Sequence, residues 1–86
     1  MRLDKFLKVS RIIKRRTVAN EACDNGRVSI NGKVAKAGTL VAVGDEVAIT
    51  FGDKVFCFKI LSVSETARKD EAASMFEVLE DKMRGV

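Results

Sequence analysis

Apolar positions recur along this chain with two periods, and the change from one to the other divides it. From residue 3 to 13, placing residues about 100° apart puts Leu3, Phe6, Leu7, Val9, Ser10 and Ile13 on one arc. Asp4, Lys5, Lys8 and Arg11 fall on the other arc, which predicts an amphipathic helix over 3–13. Ile12 is the one apolar residue outside the stripe. Asp4 lies in the predicted first turn, where a carboxylate suits the helix dipole and can pair with Lys8 four residues on. Thr17 is a good N-cap residue and opens a second predicted helix, Val18 to Asn25. Val18, Ala19, Ala22 and Cys23 form its apolar arc, and Asn20, Glu21 and Asp24 its outer face. Gly26 fits the left-handed position that ends many helices.

The period then shortens to two. Val28 and Ile30 alternate with Arg27 and Ser29, and Asn31-Gly32 is a strong tight-turn signal. After Leu40, Val41 and Val43, the pair Gly44-Asp45 marks a further turn, and Val47, Ile49 and Phe51 alternate on one face of a strand. Gly52-Asp53 starts a second hairpin. The strand 54–63 is apolar on both faces, so both need covering: the helix pair serves one and another element the second. Ala72, Met75, Phe76, Leu79 and Met83 form an i, i+3, i+4 stripe, which predicts a third helix from Arg68 to Lys82, packed on the sheet. Its predicted outer face is acidic: Asp70, Glu71, Glu77, Glu80 and Asp81. The expected fold class is α+β: two packed N-terminal helices against a small, mostly antiparallel sheet, with a C-terminal helix.

Charge adds a direction to this plan. The 86 residues carry a net charge of +4, unevenly spread. Residues 1–36 hold ten Lys and Arg against three Asp and Glu, and residues 37–86 hold six against nine. A basic half beside a mildly acidic one points to a polyanion partner. The outer face of the second predicted helix carries Glu21 and Asp24, which would repel phosphates, so the pair is not expected to read a DNA major groove. Its N-terminus, flanked by Arg15 and Arg16, is the better phosphate site. All five aromatics are Phe and most fall on core faces, which disfavours base stacking and leaves phosphates and RNA shape. Contact with about five phosphates would give a log K against log salt slope of roughly −3.5 to −4.5.

Catalytic chemistry is missing from the pattern. The chain has no histidine, the commonest general base and metal ligand. Its glycines do not form a nucleotide-binding loop, and no cofactor or metal is expected. Cys23 and Cys57 lie in apolar patterns without CxxC spacing, as befits free buried thiols. The start, MRLDKFLK, has no apolar run long enough for a signal peptide or a membrane span, so a cytoplasmic location is expected. At this length one domain over 1–86 is expected.

Arg2-Leu3-Asp4-Lys5-Phe6-Leu7, Ser10-Arg11, Arg16-Thr17 with Ala19, Gly26-Arg27-Val28, Ile30-Asn31-Gly32 and Val43-Gly44-Asp45-Glu46-Val47 together resemble the RNA-binding domain named after ribosomal protein S4. The resemblance covers residues 1–50, leaving 51–86 as an extra strand and helix, and departs at Ala37-Gly38, where many members carry Pro-Ser. It implies RNA contact first through Arg2 and Arg16, then through Lys5, Lys8, Arg11, Lys14, Arg15, Thr17, Lys33 and Lys36. The whole run from Arg2 to Val28 is most similar to short stand-alone members that act in ribosome quality control. That similarity implies a non-enzymatic monomer bound to large-subunit rRNA and tRNA on the obstructed large ribosomal subunit. It also implies joint work with an RqcH-type factor in alanine tailing of stalled chains. Two alternatives are a heat-shock-type factor that rescues dissociated large subunits, and a protein-interaction module using Met75, Phe76 and Leu79.

Overall fold

Leu3, Phe6 and Leu7 are fully buried, as their stripe predicts. A computed structural model describes residues 1–64 and 69–83, and for residues 69, 70 and 80–83 the backbone alone. Helix α1 spans Leu3–Val9, shorter than expected. Beyond the cap residue Ser10, Arg11 takes a left-handed φ of 63°, at a cost of about 1 kcal/mol. The stripe persists past the helix end: Ser10 is 2% and Ile13 7% exposed, and the Ile13 amide donates to the Leu7 carbonyl at 3.0 Å. Helix α2 spans Arg16–Asp24. Arg15, not Thr17, is its N-cap, no side chain caps it, and Thr17 lies exposed within the first turn. Ala19 and Cys23 are buried, but Val18 is 47% exposed and leaves the predicted apolar arc.

Five strands follow: β1 (Val28–Ile30), β2 (Lys33–Val34), β3 (Glu46–Phe51), β4 (Lys54–Ile60) and β5 (Phe76–Met83). They form one sheet in the order β2-β1-β3-β4-β5, antiparallel throughout. Asn31 and Gly32 take φ values of 51° and 86° in the β1–β2 turn, as a tight hairpin turn requires. Register puts Val28, Ile49 and Phe56 in one cross-strand row and Ile30, Val47 and Phe58 in the next. This face packs against α1, with the Phe6 and Phe58 rings stacked 6.1 Å apart. Each such buried side chain contributes about 1.5–3 kcal/mol. The opposite face carries the row Ser29, Ala48, Cys57 and the row Glu46, Lys59, Glu77, in which unlike charges stand directly opposite.

The expected C-terminal helix is corrected. Among the described residues the tail holds only a short helix α3 (Lys69–Ala72) and a single 3₁₀ turn at Ala73–Met75, after which the chain becomes strand β5. The start expected at Arg68, and the side chains of Asp70, Glu80, Asp81 and Met83, lie outside the described residues. β5 pairs with β4 from Ile60↔Phe76 to Lys54↔Met83, with a register shift between Cys57 and Phe58. The physical reason is edge pairing. Without β5, the seven-residue strand β4 would leave a row of backbone donors and acceptors unpaired. Those bonds override a helical propensity worth only tenths of a kcal/mol per residue. The apolar stripe therefore divides. Ala72 and Met75 are each 2% exposed, Phe76 sits edge-on to Phe58 at 5.5 Å, and Leu79 is 43% exposed. β4 itself stops at Ile60, three residues short of the expected end, and leaves Leu61 and Val63 exposed.

Candidate nucleic-acid interface

The candidate interface is built around one carboxylate. Asp4, expected on the outer face of α1 beside Lys8, is instead 2% exposed. It accepts from four groups on three parts of the chain. Arg2 Nε stands 3.3 Å from Oδ1, and the Lys5 amide donates to the same oxygen at 2.8 Å. Arg16 Nε donates to Oδ2 at 3.3 Å, and Asn20 Nδ2 at 3.4 Å. Arg16 and Asn20 are four residues apart on α2, so both face α1. Burial by itself would raise the Asp4 pKa. Hydrogen bonds from Arg16 and Asn20, the Arg16 charge and the Lys5 amide outweigh it and hold the carboxyl below its ordinary 3.8. Asp4 is therefore ionised at neutral pH.

The two guanidinium groups remain open to solvent. The side chains of Arg2 and Arg16 are 51% and 47% exposed, against 3% for Asp4. One carboxylate thus fixes the relative placement of two exposed arginines that lie fourteen positions apart in the chain. Thr17 joins Asp4, Arg16, Asn20 and Glu21 in lining a shallow groove beside them.

The loop after β2 completes the support. Thr39 and Ala37 carbonyls accept from the Leu3 and Asp4 amides at 2.8 and 3.2 Å, closing the N-terminus of α1. Arg2 also bridges to Leu40. A Cβ on Gly38 would meet Arg2 Nη2 at 3.9 Å, an ordinary contact, so a small side chain at this position would fit beside Arg2. Lys36, on the same loop, is exposed.

Of the expected contact residues, the structure brings Arg2, Arg16 and Thr17 together around Asp4. Lys5 is half-buried next to them. Lys8, Arg11, Lys14 and Arg15 are exposed on the end of α1 and the connection to α2, and Lys33 is exposed beyond the Asn31-Gly32 turn. That turn is pinned: Asn31 Nδ2 donates to Asp45 Oδ1 at 3.2 Å, and Asn31 Oδ1 accepts the Glu46 amide at 3.0 Å. The sequence reading missed Asp4 and Asn20. The usable signal was Asn20 at i+4 from Arg16, which places an amide and a guanidinium on one helix face.

Both cysteines are free, and burial with the charges of Asp4 and Asp24 pushes the Cys23 thiol from 9.0 up to about 11. Cys23 is therefore protonated at neutral pH.

Comparison with known proteins places this geometry in a family. The S4 domain matches residues 1–47, which hold the Asp4 cluster and the basic segments. An RQC P-site tRNA stabilizing factor of Halalkalibacterium halodurans is 57% identical over 82 residues, covering 95% of this chain and 93% of that protein. The Bacillus subtilis protein of the same name is 51% identical over 85 residues, covering 99% of both. Among solved structures, heat shock protein 15 of Vibrio cholerae, described as trimeric, superimposes with a TM-score of 0.84 at 29% identity, over 92% of this chain and 81% of that one. With an S4 domain over its first half and these relatives matched nearly end to end, the chain belongs to the S4-domain family, within the group of RQC P-site tRNA stabilizing factors.

Proposed function

We propose that this chain is a non-catalytic RNA-binding factor that holds P-site tRNA on an obstructed large ribosomal subunit during quality control. The observation that carries the reading is the Arg2–Asp4–Arg16 cluster, two exposed guanidinium groups set at a fixed spacing by a buried carboxylate. Guanidinium forks suit phosphate geometry, and fixing them before binding lowers the entropy lost on contact. Lys5, Lys8, Arg11, Lys14, Arg15, Thr17, Lys33 and Lys36 extend this surface so that one side meets large-subunit rRNA and the other tRNA. In this reading the chain is one domain that works as a cytoplasmic monomer. It keeps the tRNA in place while an RqcH-type factor directs alanine tailing of the stalled nascent chain. The names of the relatives support the tRNA and quality-control parts.

The test is Arg16→Ala. Binding to purified large subunits bearing peptidyl-tRNA should weaken by about tenfold, the scale of one charge-assisted contact. The circular dichroism spectrum should stay that of the folded protein. Unchanged binding by a folded variant defeats the reading. The structural likeness to heat shock protein 15 favours a second reading, rescue of dissociated large subunits. The same assay separates the two, since the first requires a preference for subunits that carry tRNA over vacant ones. The protein-interaction reading loses its surface, because Met75 is buried and only Leu79 of its three residues is exposed.

A further inference from the structure

Two of the three asparagines in this chain are followed by glycine, in Asn25-Gly26 and Asn31-Gly32. In such a pair the glycine nitrogen can attack the asparagine Cγ, because no side chain on the glycine blocks the approach. All four residues are exposed, and both glycines have a positive φ, 74° at Gly26 and 86° at Gly32. The fold holds the two side-chain amides differently. Asn31 has both polar atoms engaged, since Nδ2 donates to Asp45 Oδ1 at 3.2 Å and Oδ1 accepts the Glu46 amide at 3.0 Å. Its backbone amide also donates to the Glu46 carbonyl at 2.7 Å. Attack on Asn31 Cγ must first break both side-chain bonds. Asn25 is the C-cap of α2, and its side chain makes no hydrogen bond among the described residues. It lines an open groove with Gly26, Arg27, Thr50 and Gly52. Only main chain opposes ring closure there. The Gly26 amide donates to the Cys23 carbonyl and the Arg27 amide to the Ala22 carbonyl, each at 3.0 Å. These two bonds are the Schellman ending of α2, and a helix terminus frays more readily than a paired strand.

We propose that Asn25 is a site of spontaneous deamidation in the folded protein, and that the clasp of Asp45 and the Glu46 amide closes Asn31 to the same reaction. The Gly26 nitrogen forms a bond to Asn25 Cγ, the Cγ–Nδ2 bond breaks, and ammonia leaves with the Gly26 amide hydrogen. Water then opens the cyclic imide at either carbonyl, which leaves aspartate or isoaspartate at position 25. The net change is one water taken up and one ammonia released, with nothing oxidised or reduced. The product puts a carboxylate at the C-terminal end of α2, beside Asp24, where the helix dipole disfavours negative charge. The isoaspartate form also lengthens the main chain inside the cap that the Gly26 and Arg27 amides close. The net charge of +4 falls by one. Deamidation thus gives this chain an irreversible change of charge and of helix-end stability that needs no enzyme. It is independent of the RNA-binding reading.

The experiment incubates the full chain at neutral pH, native or unfolded in urea, and follows both amides by trypsin digestion and mass spectrometry. Cleavage after Arg16, Arg27 and Lys33 places Asn25 and Asn31 in separate peptides. In the native protein Asn25 should convert about five- to tenfold faster than Asn31, the scale set by holding one amide with two hydrogen bonds. In urea the two rates should converge, because the clasp and the helix cap are both gone. Asp45→Ala should speed conversion of native Asn31 by about three- to tenfold and leave Asn25 unchanged. If that variant does not fold, the wild-type comparison of native with unfolded chain decides alone. Asn25→Asp, one of the two products, should melt about 2–6 °C lower than wild type. Equal rates at the two positions in the native protein overturn the proposal, as does an Asn25 that converts in urea but not in the native state. A preference for Asn25 that persists unchanged in urea overturns it as well, because flanking residues and not the fold would then set it. A folded Asp45→Ala with Asn31 as slow as in wild type removes the clasp, and an undiminished melting temperature for Asn25→Asp removes the cost to the helix end.

Discussion

Two groups of cations sit side by side on this protein and are held in different ways. Arg2 and Arg16 share the buried Asp4 carboxylate, so their spacing is set before any ligand arrives. Lys8, Lys14 and Arg15 stand exposed at the end of α1 and in the connection to α2, without an ion pair among the described residues. Held groups give geometry: the ordering cost is met in folding and does not recur on binding. Unheld groups give attraction, which acts over about a Debye length and fades with salt. In the proposed role, finding a ribosome and then sitting on it in one orientation has use for both. The contrast can be tested by removing the carboxylate, by titrating it, and by removing a cation from the unheld set.

Asp4→Ala should have the largest effect, and its sign separates the two kinds of electrostatics. The substitution raises the net charge of +4 by one, so attraction alone predicts tighter RNA binding. We expect weaker binding, because Arg2 and Arg16 lose their common anchor. Stability should fall by about 1–3 kcal/mol, since Asn20 and the Lys5 amide also lose their acceptor. That corresponds to a fall in melting temperature of about 5–15 °C for a domain of this size. Titration of a structured RNA against the variant, beside thermal unfolding, checks both. Tighter binding would reduce the cluster to a surface ion pair of no functional weight.

The same contrast explains what could be read from the sequence. The unheld cations, the α1 stripe of Leu3, Phe6 and Leu7, the Asn31-Gly32 turn and the helix stop at Gly26 are local features, fixed by residue type and short spacing. The role of Asp4 is not local. On a helical wheel it falls among Lys5, Lys8 and Arg11, and only the packing of α2 against α1 brings Arg16 and Asn20 over it. β5 was hidden for a related reason. Its residues carry helix-forming side chains, and the choice of strand depends on the open edge of β4, about twenty residues earlier in the chain. Arg11 is a third case: its spacing continues the helix, but the buried Ser10 and Ile13 turn the backbone there.

Acid should act on the held pair first. The Asp4 carboxyl lies below 3.8 in the folded protein and returns toward that value on unfolding. The unfolded chain therefore takes up the proton first as pH falls. The stability contributed by Asp4 is complete above 3.8 and is lost as pH drops through the lower folded value. Urea unfolding between about pH 5 and pH 2, of wild type and Asp4→Asn, measures this contribution. The difference between the two proteins should be largest at the upper end and shrink on acidification. A constant difference across the range would mean that the Asp4 carboxyl is not held below its ordinary value.

Lys14→Ala should have the smallest effect, confined to long-range attraction. Lys14 is exposed and touches no described carboxylate, so the melting temperature should move by less than about 3 °C, as for a surface substitution. Affinity for large subunits should fall about two- to threefold at low salt and by less at high salt, where screening removes the advantage of the charge. The informative measurement is the double variant. If the unheld cations act independently of the Asp4 cluster, the free-energy costs of Lys14→Ala and Asp4→Ala should add to within about 0.5 kcal/mol. Arg2→Ala and Arg16→Ala, which share one carboxylate, should not add, because either loss alone already removes the fixed spacing. Additivity in both cycles would mean that Asp4 supports the fold without setting the geometry of the arginines. Coupling in both would mean that the connection after α1 is ordered together with the cluster and that all these cations form one surface.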